Sequence, residues 1–311
     1  MSPHLLGPSL MARIFDRPLA IHPDKARAIL VALLPKLGAP ALIWNHGAGG
    51  IFRVGENAAA SGTAQAGNPH DSRLQRHRNG DRCFAFDQTT GIAHIEAMGT
   101  LVHKLGSLHM YSGNTGYDGL GAQLRAAAAD PMVRGILWDS HTPGGEVSGC
   151  FELGAEMLRI REVKPIWSIA YDDALSAGYA LAAAANVVVA TRTAEVGSIG
   201  VWTMHIDWSG YLEQEGIVVT PIFAGDRKID GWPYKPLPDD VRRRIQGRID
   251  DYHSVFVEHV AAARGLTPKA VRDTEAECLG APAGKELGLV DEVASFEDTY
   301  RAFAEKLNAA A

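Results

Sequence analysis

Cysteine is scarce. Only Cys83, Cys150 and Cys278 occur in 311 residues, far apart and with no Cys-x-x-Cys pair. That excludes a disulfide framework, argues against a zinc site and suits a reducing compartment. Long apolar runs are also lacking. The most hydrophobic stretch, residues 178–190, contains Asn186 and falls short of the ~18–20 apolar residues that span a bilayer. It reads as a buried helix running into a buried strand. No basic segment followed by an apolar core opens the chain, so no secretory signal is expected, and the chain reads as cytoplasmic without a membrane anchor. Excess basic charge is missing too. Thirty Lys+Arg against 36 Asp+Glu give a formal charge of -6, which argues against a nucleic-acid partner. The local cluster Arg242-Arg243-Arg244 reads as the solvated face of a helix.

What remains is an ordinary globular composition, 46% hydrophobic and 21% charged. Residues 1–46 read as a helical N-terminal extension, with Arg17-Pro18-Leu19-Ala20-Ile21 preceding its helix. Residues 47–82, rich in Gly, Ala, Asn, Ser and Arg, read as a flexible linker. From residue 83 to 295 strands alternate with helices, which argues for an α/β domain with a largely parallel sheet, and residues 296–311 read as a helical tail. Strands are expected at residues 91–98, 133–138, 165–170, 187–190 and 217–223. The alternation from Trp202 to Ile206 suggests another. One long helix is expected at 238–264, with Val241, Ile245, Ile249, Tyr252, Phe256 and Val260 on one face.

Three short segments carry chemistry. Ser176 follows a strand and opens the small-residue run Ala177-Gly178-Tyr179-Ala180. A serine hydroxyl needs a base to act as a nucleophile, and the N–H groups at a helix start favour a developing oxyanion. By itself the same pattern is also a plain N-cap. Upstream, Thr142-Pro143-Gly144-Gly145-Glu146 ends a buried strand, and adjacent glycines free backbone N–H groups for an oxyanion hole shared with Ala177, although many strand-to-helix turns look alike. Lys228 lies in Gly225-Asp226-Arg227-Lys228-Ile229-Asp230. A lysine serves as base only when neutral, which burial among Ile229, Trp232, Pro233 and Tyr234 would favour and Asp226 or Asp230 would oppose. Taken alone, Lys228 reads as a solvated loop lysine. Cys150 reads as a small apolar residue in an early helix turn rather than a second nucleophile.

The order and spacing of Asp139 to Glu146, Ser176 to Ala184, Gly197 to Val201, Gly225 to Leu237 and Gly284 to Asp291 resemble peptidase family S49, the signal peptide peptidase A type. The resemblance runs from about residue 91 to 295. It implies a ClpP/crotonase-like fold of stacked ββα-type units and a Ser–Lys dyad that hydrolyses peptide bonds through an acyl-enzyme. Ser176 would be the nucleophile and Lys228 the base. Gly145 or Gly144, together with Ala177, would hold the oxyanion, and Ser198 is a candidate to orient the lysine. No metal or cofactor is implied. Members of the family often form ring-like homo-oligomers whose neighbouring subunits complete the site. With a single core and no transmembrane helix, the chain is most similar to the soluble phage and prophage capsid-assembly proteases. Their setting is the host cytoplasm or the prohead, and their substrates are scaffold, portal and other head proteins. No scaffold segment is expected after the core. Small residues around Ser176 suggest small or apolar side chains beside the cut.

Other readings remain open at this point. His205, within Met204-His205-Ile206-Asp207, could serve as the base of a ClpP-like Ser–His pair. The Gly-x-Ser-x-Gly elbow is absent, since Ala174 takes the first glycine position. A crotonase-like acyl-CoA enzyme would use a similar oxyanion hole without the dyad, and a non-catalytic structural protein would use neither.

Overall fold

The computed structural model describes residues 19–21, 82–105 and 113–309. The helix expected in the N-terminal extension and nearly all of the expected linker lie outside the described residues. Within them, three strands form the centre of the larger sheet. These are β3 (Ile92–Met98), β6 (Gly135–Thr142) and β8 (Ile166–Leu175), which run parallel. Ile92, Ile95, Ile136, Leu137 and Ile169 are fully buried along them, as expected of strands covered on both faces. β2 (Ala85–Asp87) closes one edge antiparallel to β3. β8 carries two neighbours on its far side. Its first half pairs with β9 (Val187–Ala190) and its second half with β10 (Glu195–Gly197). β11 (Cys278–Gly280) and β12 (Glu292–Val293) extend those two.

A smaller sheet has the order β1-β7-β4-β5. It contains β4 (Thr100–Val102), β5 (Asn114–Gly116), β7 (Gly144–Glu146) and β1 (Leu19–Ile21). The recurring unit is a long strand in the large sheet, a short strand in the small sheet, and a helix. β3 and β4 lead through β5 to α1 (Tyr117–Ala129), and β6 and β7 lead to α2 (Cys150–Ile160). β8 omits the short strand and enters α3 (Ala177–Ala183) directly. This is the stacked ββα arrangement of a ClpP/crotonase-like fold.

The helices bury apolar stripes, but on the long one expected at 238–264 the face is covered only in part: Val241, Phe256 and Val260 are buried, Ile245 and Ile249 half-buried, and Tyr252 exposed. α1 turns Leu120, Leu124 and Ala127 inward and stops before Pro131, where Lys164 caps its end by donating to the carbonyls of Ala127 and Asp130. α2 buries Leu153 and Met157. After the short α4 (Ser209–Gln214) comes the long α5 (Asp239–Arg264), buried mainly in its second half through Phe256, Val257 and Val260. α6 (Pro268–Arg272) and α7 (Ala281–Glu286) follow. α8 (Phe296–Ala309) packs Phe303 and Leu307 onto Ile92, Leu137 and Ile169 of the large sheet, with Trp167 stacked on Phe303. No described helix is long and apolar enough to cross a membrane.

Two expected strands are not formed. Residues 217–223 form no strand pairing with any described residue, with Val218 89% and Ile222 97% exposed. Their β-branched side chains give strand propensity, yet a strand needs a neighbouring edge, and none among the described residues reaches them. The stretch from Trp202 to Ile206 likewise forms only a single bridge, from Trp202 to Leu19.

Candidate active site

Ser176 stands where β8 turns into α3. Its backbone has φ 53° and ψ -120°, a conformation that costs a non-glycine residue ~1–3 kcal/mol and persists only where surroundings enforce it. The surroundings are visible. The Ser176 N–H donates to the Gly197 carbonyl at 2.8 Å, and the Ser176 carbonyl accepts from the Ala180 N–H at 3.0 Å. All seven residues of α3 are buried. The alanine run thus has a packing reason: the small residues Ala177, Gly178, Ala180, Ala182 and Ala183 let the helix approach its neighbours closely, while Tyr179 and Leu181 fill the core. Gly178 is the closest point, where an added Cβ would lie 2.3 Å from Thr142 Cγ2. The result is a strained strand–turn–helix elbow that keeps the second glycine of the usual pattern, Gly178, and has Ala174 in place of the first.

The Thr142–Glu146 turn lies against the serine. Thr142 Oγ1 donates to the Gly99 carbonyl at 2.6 Å and accepts from the Gly144 N–H at 3.1 Å. Gly144 has φ 106°, and a Cβ there would lie 2.9 Å from Ser176 Cβ and 2.2 Å from the Ala20 carbonyl oxygen. Glycine is therefore required here for both conformation and space. The Gly144 N–H is engaged by Thr142, whereas Gly145 stands in β7 opposite Ala20. Ala177, at the first helical position, has no intrahelical acceptor for its N–H.

Ser198 has φ 52° and is buried, with its N–H on the Glu277 carbonyl. It belongs to the turn whose Gly197 carbonyl holds the Ser176 N–H and whose Gly200 carbonyl lies 3.5 Å from Ser176 Oγ. The other non-glycine residues at positive φ, Glu275 and Ala276, back the same turn; a Cβ on Gly200 would lie 2.8 Å from that of Ala276. All such strain in the described residues is thus gathered around one serine.

Lys228 is placed differently. Ser176 is 1% exposed, while Lys228 is exposed and its side chain makes no hydrogen bond or ion pair with a described residue. Its loop is nevertheless fixed. Arg244 on α5 grips both carboxylate oxygens of Asp230, at 3.0 and 3.1 Å, and also bonds Asp240. The Trp208 N–H donates to the Pro233 carbonyl, and Trp232 packs edge-on against Tyr234. Asp230 is therefore turned to Arg244. His205 makes no hydrogen bond to Ser176, and its Nε2 is buried without a partner among the described residues.

Residues 159–310, a span holding both Ser176 and Lys228, match peptidase family S49. The capsid assembly protease C of Escherichia phage lambda is 37% identical over 97% of this chain and 66% of its own length. The head-tail preconnector protein GP5 of Enterobacteria phage P21 is 37% identical over 96% of this chain and 57% of its own. A putative signal peptide peptidase SppA of Enterococcus faecium is 29% identical over 57% of this chain and 52% of its own. The chain belongs to peptidase family S49. It spans 66% and 57% of the lengths of the two phage relatives.

Several features of this S49 chain escape sequence reasoning. The arginine cluster looked merely solvated, yet Arg244 braces the lysine loop. The signal was present in principle, since Asp230 and Arg244 are complementary, but nothing local pairs them. The strand at Leu19–Ile21, which reaches Gly144–Glu146, left no periodic trace. Cys150 behaves as its sequence suggested. Burial pushes its thiol up to about 12, so no thiolate forms near neutrality, and its Sγ rests 3.6 Å from the Ala177 carbonyl as a packing atom.

Proposed function

We propose that this chain is a serine endopeptidase that cuts proteins of a phage head during assembly, in the host cytoplasm or the prohead, using Ser176 as nucleophile and Lys228 as general base. The observation that carries the reading is the conformation of Ser176: strained, buried, at a helix start, with the Gly144-Gly145 turn against it. A structural N-cap would need none of that strain. The phage relatives' names, a capsid assembly protease and a head-tail preconnector protein, support the choice of substrate.

In the proposed reaction a neutral Lys228 amine accepts the Ser176 proton as Oγ attacks a peptide carbonyl. The oxyanion is held by the Ala177 and Gly145 N–H groups, each such donor typically worth ~2.7–4 kcal/mol of barrier. The lysine returns its proton to the leaving amine, and water then releases the acyl group by the reverse sequence. Because Lys228 is exposed within one copy, the reading assigns the base to a neighbouring copy, with the exposed residues 217–223 as part of the contact. In that contact the lysine loses water, as a neutral amine base requires. Ser198 belongs to the turn behind Ser176, where it can orient the lysine.

The test is cleavage of casein, followed by mass spectrometry, for the unchanged chain and for Ser176→Ala, Lys228→Ala and His205→Ala. The first two substitutions are expected to lower the rate by ~10³-fold or more, with His205→Ala active. Loss in His205→Ala with Lys228→Ala active would replace the dyad with a Ser–His pair. Cleavage that survives Ser176→Ala would remove the serine mechanism altogether.

A further inference from the structure

β1 is three residues long, yet it lies between two backbone edges. On one side it runs antiparallel to β7, with Leu19 opposite Glu146, Ala20 opposite Gly145 and Ile21 opposite Gly144. On the other, Leu19 exchanges both backbone bonds with Trp202, at 2.9 and 3.0 Å, and the Trp202 indole N–H donates to the Ile21 carbonyl at 2.9 Å. Strand alternation then turns the Ala20 N–H and C=O toward Gly145, the residue proposed to hold the oxyanion. A methyl on Gly144 would touch both the Ala20 carbonyl oxygen, at 2.2 Å, and Ser176 Cβ, at 2.9 Å. No room for a methyl group therefore remains between the Ala20 carbonyl and the Ser176 side chain. Leu19, Ala20 and Ile21 are all buried in this groove.

This is how an extended peptide is bound by β-strand addition: main-chain bonds on each side and alternate side chains in pockets. Here the peptide belongs to the chain itself and comes from a distant part of the sequence. We propose that Leu19–Ile21 is an internal pseudosubstrate. It fills the groove beside Ser176, keeps the protein latent, and is displaced by an extended substrate segment that places a small residue opposite Gly145, as Ala20 does. As a covalently attached occupant it competes as an intramolecular ligand, so a free peptide must outcompete it. The inference rests on the peptidase reading above.

Two full-length variants loosen the strand from outside the catalytic set. Ala20→Pro removes the N–H that faces Gly145, and Ile21→Asp places a charge in the buried groove. In a Ser176→Ala background, a fluorescent peptide with the sequence of residues 17–23 is titrated against each variant and against the unloosened chain. At least ten-fold tighter binding to both loosened chains is expected. With Ser176 present, both should hydrolyse a short fluorogenic peptide at least ten-fold faster than the unchanged chain. A strand that merely supports the Gly144–Glu146 turn predicts the opposite, no peptide binding and slower hydrolysis, and that result overturns the proposal. Peptide binding without hydrolysis by any chain would sink the peptidase reading and leave the occupancy standing. Hydrolysis equal in all chains with no peptide binding would do the reverse. Should both variants unfold, hydrogen exchange of the Ser176→Ala chain decides. The amides of Leu19 to Ile21 must lose protection when excess casein peptides are added, and unchanged protection rejects displacement.

Discussion

The two halves of the proposed dyad sit in opposite surroundings. Ser176 is buried, strained and held by the Gly197 and Ala180 contacts, with a helix of small side chains pressed behind it. Lys228 stands in water on a loop held from one side by Arg244, next to a run of exposed apolar residues from Ile217 to Phe223. A serine needs fixed geometry, which one chain can supply from its own core. A lysine base needs desolvation, and among the described residues none bonds the Lys228 side chain or buries it. Under the proposed reading, folding of one copy prepares the nucleophile, and association is what would activate the base.

The sharpest way to break that contrast is complementation. Ser176→Ala and Lys228→Ala chains are each expected to be inactive toward casein. If the lysine acts across an interface, mixing them in equal amounts restores about a quarter of the sites in a head-to-tail ring, since a competent site takes serine from one copy and lysine from the next. Mixing that restores nothing, while each mutant still assembles by light scattering, would place both groups in the same copy.

The next largest effect belongs to the serine side. Gly178→Ala should favour the isolated helix, yet its Cβ would meet Thr142 Cγ2 at 2.3 Å. Thr142 is not free to retreat, because its Oγ1 is tied to Gly99 and Gly144. We expect a loss of ~1–3 kcal/mol in denaturant unfolding and of ~10²-fold in kcat, from displacement of the turn beside the serine. Adding Thr142→Ser removes the clashing methyl and keeps the hydroxyl. Both losses should shrink in the double variant, giving a coupling energy that independent sites would not show.

On the lysine side the effect is smaller. Arg244→Met removes the fork that holds Asp230 without touching Lys228. The pair is part-exposed, so its contribution to stability is modest, ~0–1 kcal/mol. Activity should fall ~10-fold as the loop loses its position, with a melting temperature nearly unchanged. Equal falls in activity and stability would mean that Arg244 serves only the fold.

These differences also explain what could be read in advance. The place of Ser176 between a buried strand and a helix was legible because both patterns are local, whereas its strain was not, because the Gly197 carbonyl that holds it comes from another segment. The long helix was legible from its period, as Phe256 and Val260 show. The strand expected at residues 217–223 was not formed, because propensity alone cannot provide a neighbouring edge. The contact of Ala20 with Gly145 was invisible for a related reason: it joins segments far apart in the chain, and three residues carry no period. The Arg244–Asp230 fork was hidden because a charge run has the same composition whether it faces water or a loop.

The smallest effect expected comes from acid, and it too should fall on the serine side. His259, on α5, lies against α2 and α3. A Cβ on Gly154 would lie 2.7 Å from its Cε1, Phe151 packs edge-on at 5.7 Å, and Nε2 meets the Ala180 carbonyl at 2.8 Å, so the neutral ring donates from Nε2. Burial lowers the pKa of His259 below its ordinary value, and the nearby Arg161 charge adds to this, against a smaller opposing effect of the Ala180 bond. A histidine with a lowered folded pKa favours the neutral form. Its contribution to stability is therefore complete above the unfolded value of ~6.5 and is lost as pH falls through the folded value. The same helix turn carries the bond from the Ala180 N–H to the Ser176 carbonyl. Between pH 7 and 5 the unchanged chain should lose more melting temperature than His259→Gln, which can keep a donor toward Ala180 but cannot titrate. Parallel curves for the two chains would show that the ring accepts a proton without strain, and that the packing behind the serine is looser than the geometry of Gly154 and Ala180 requires.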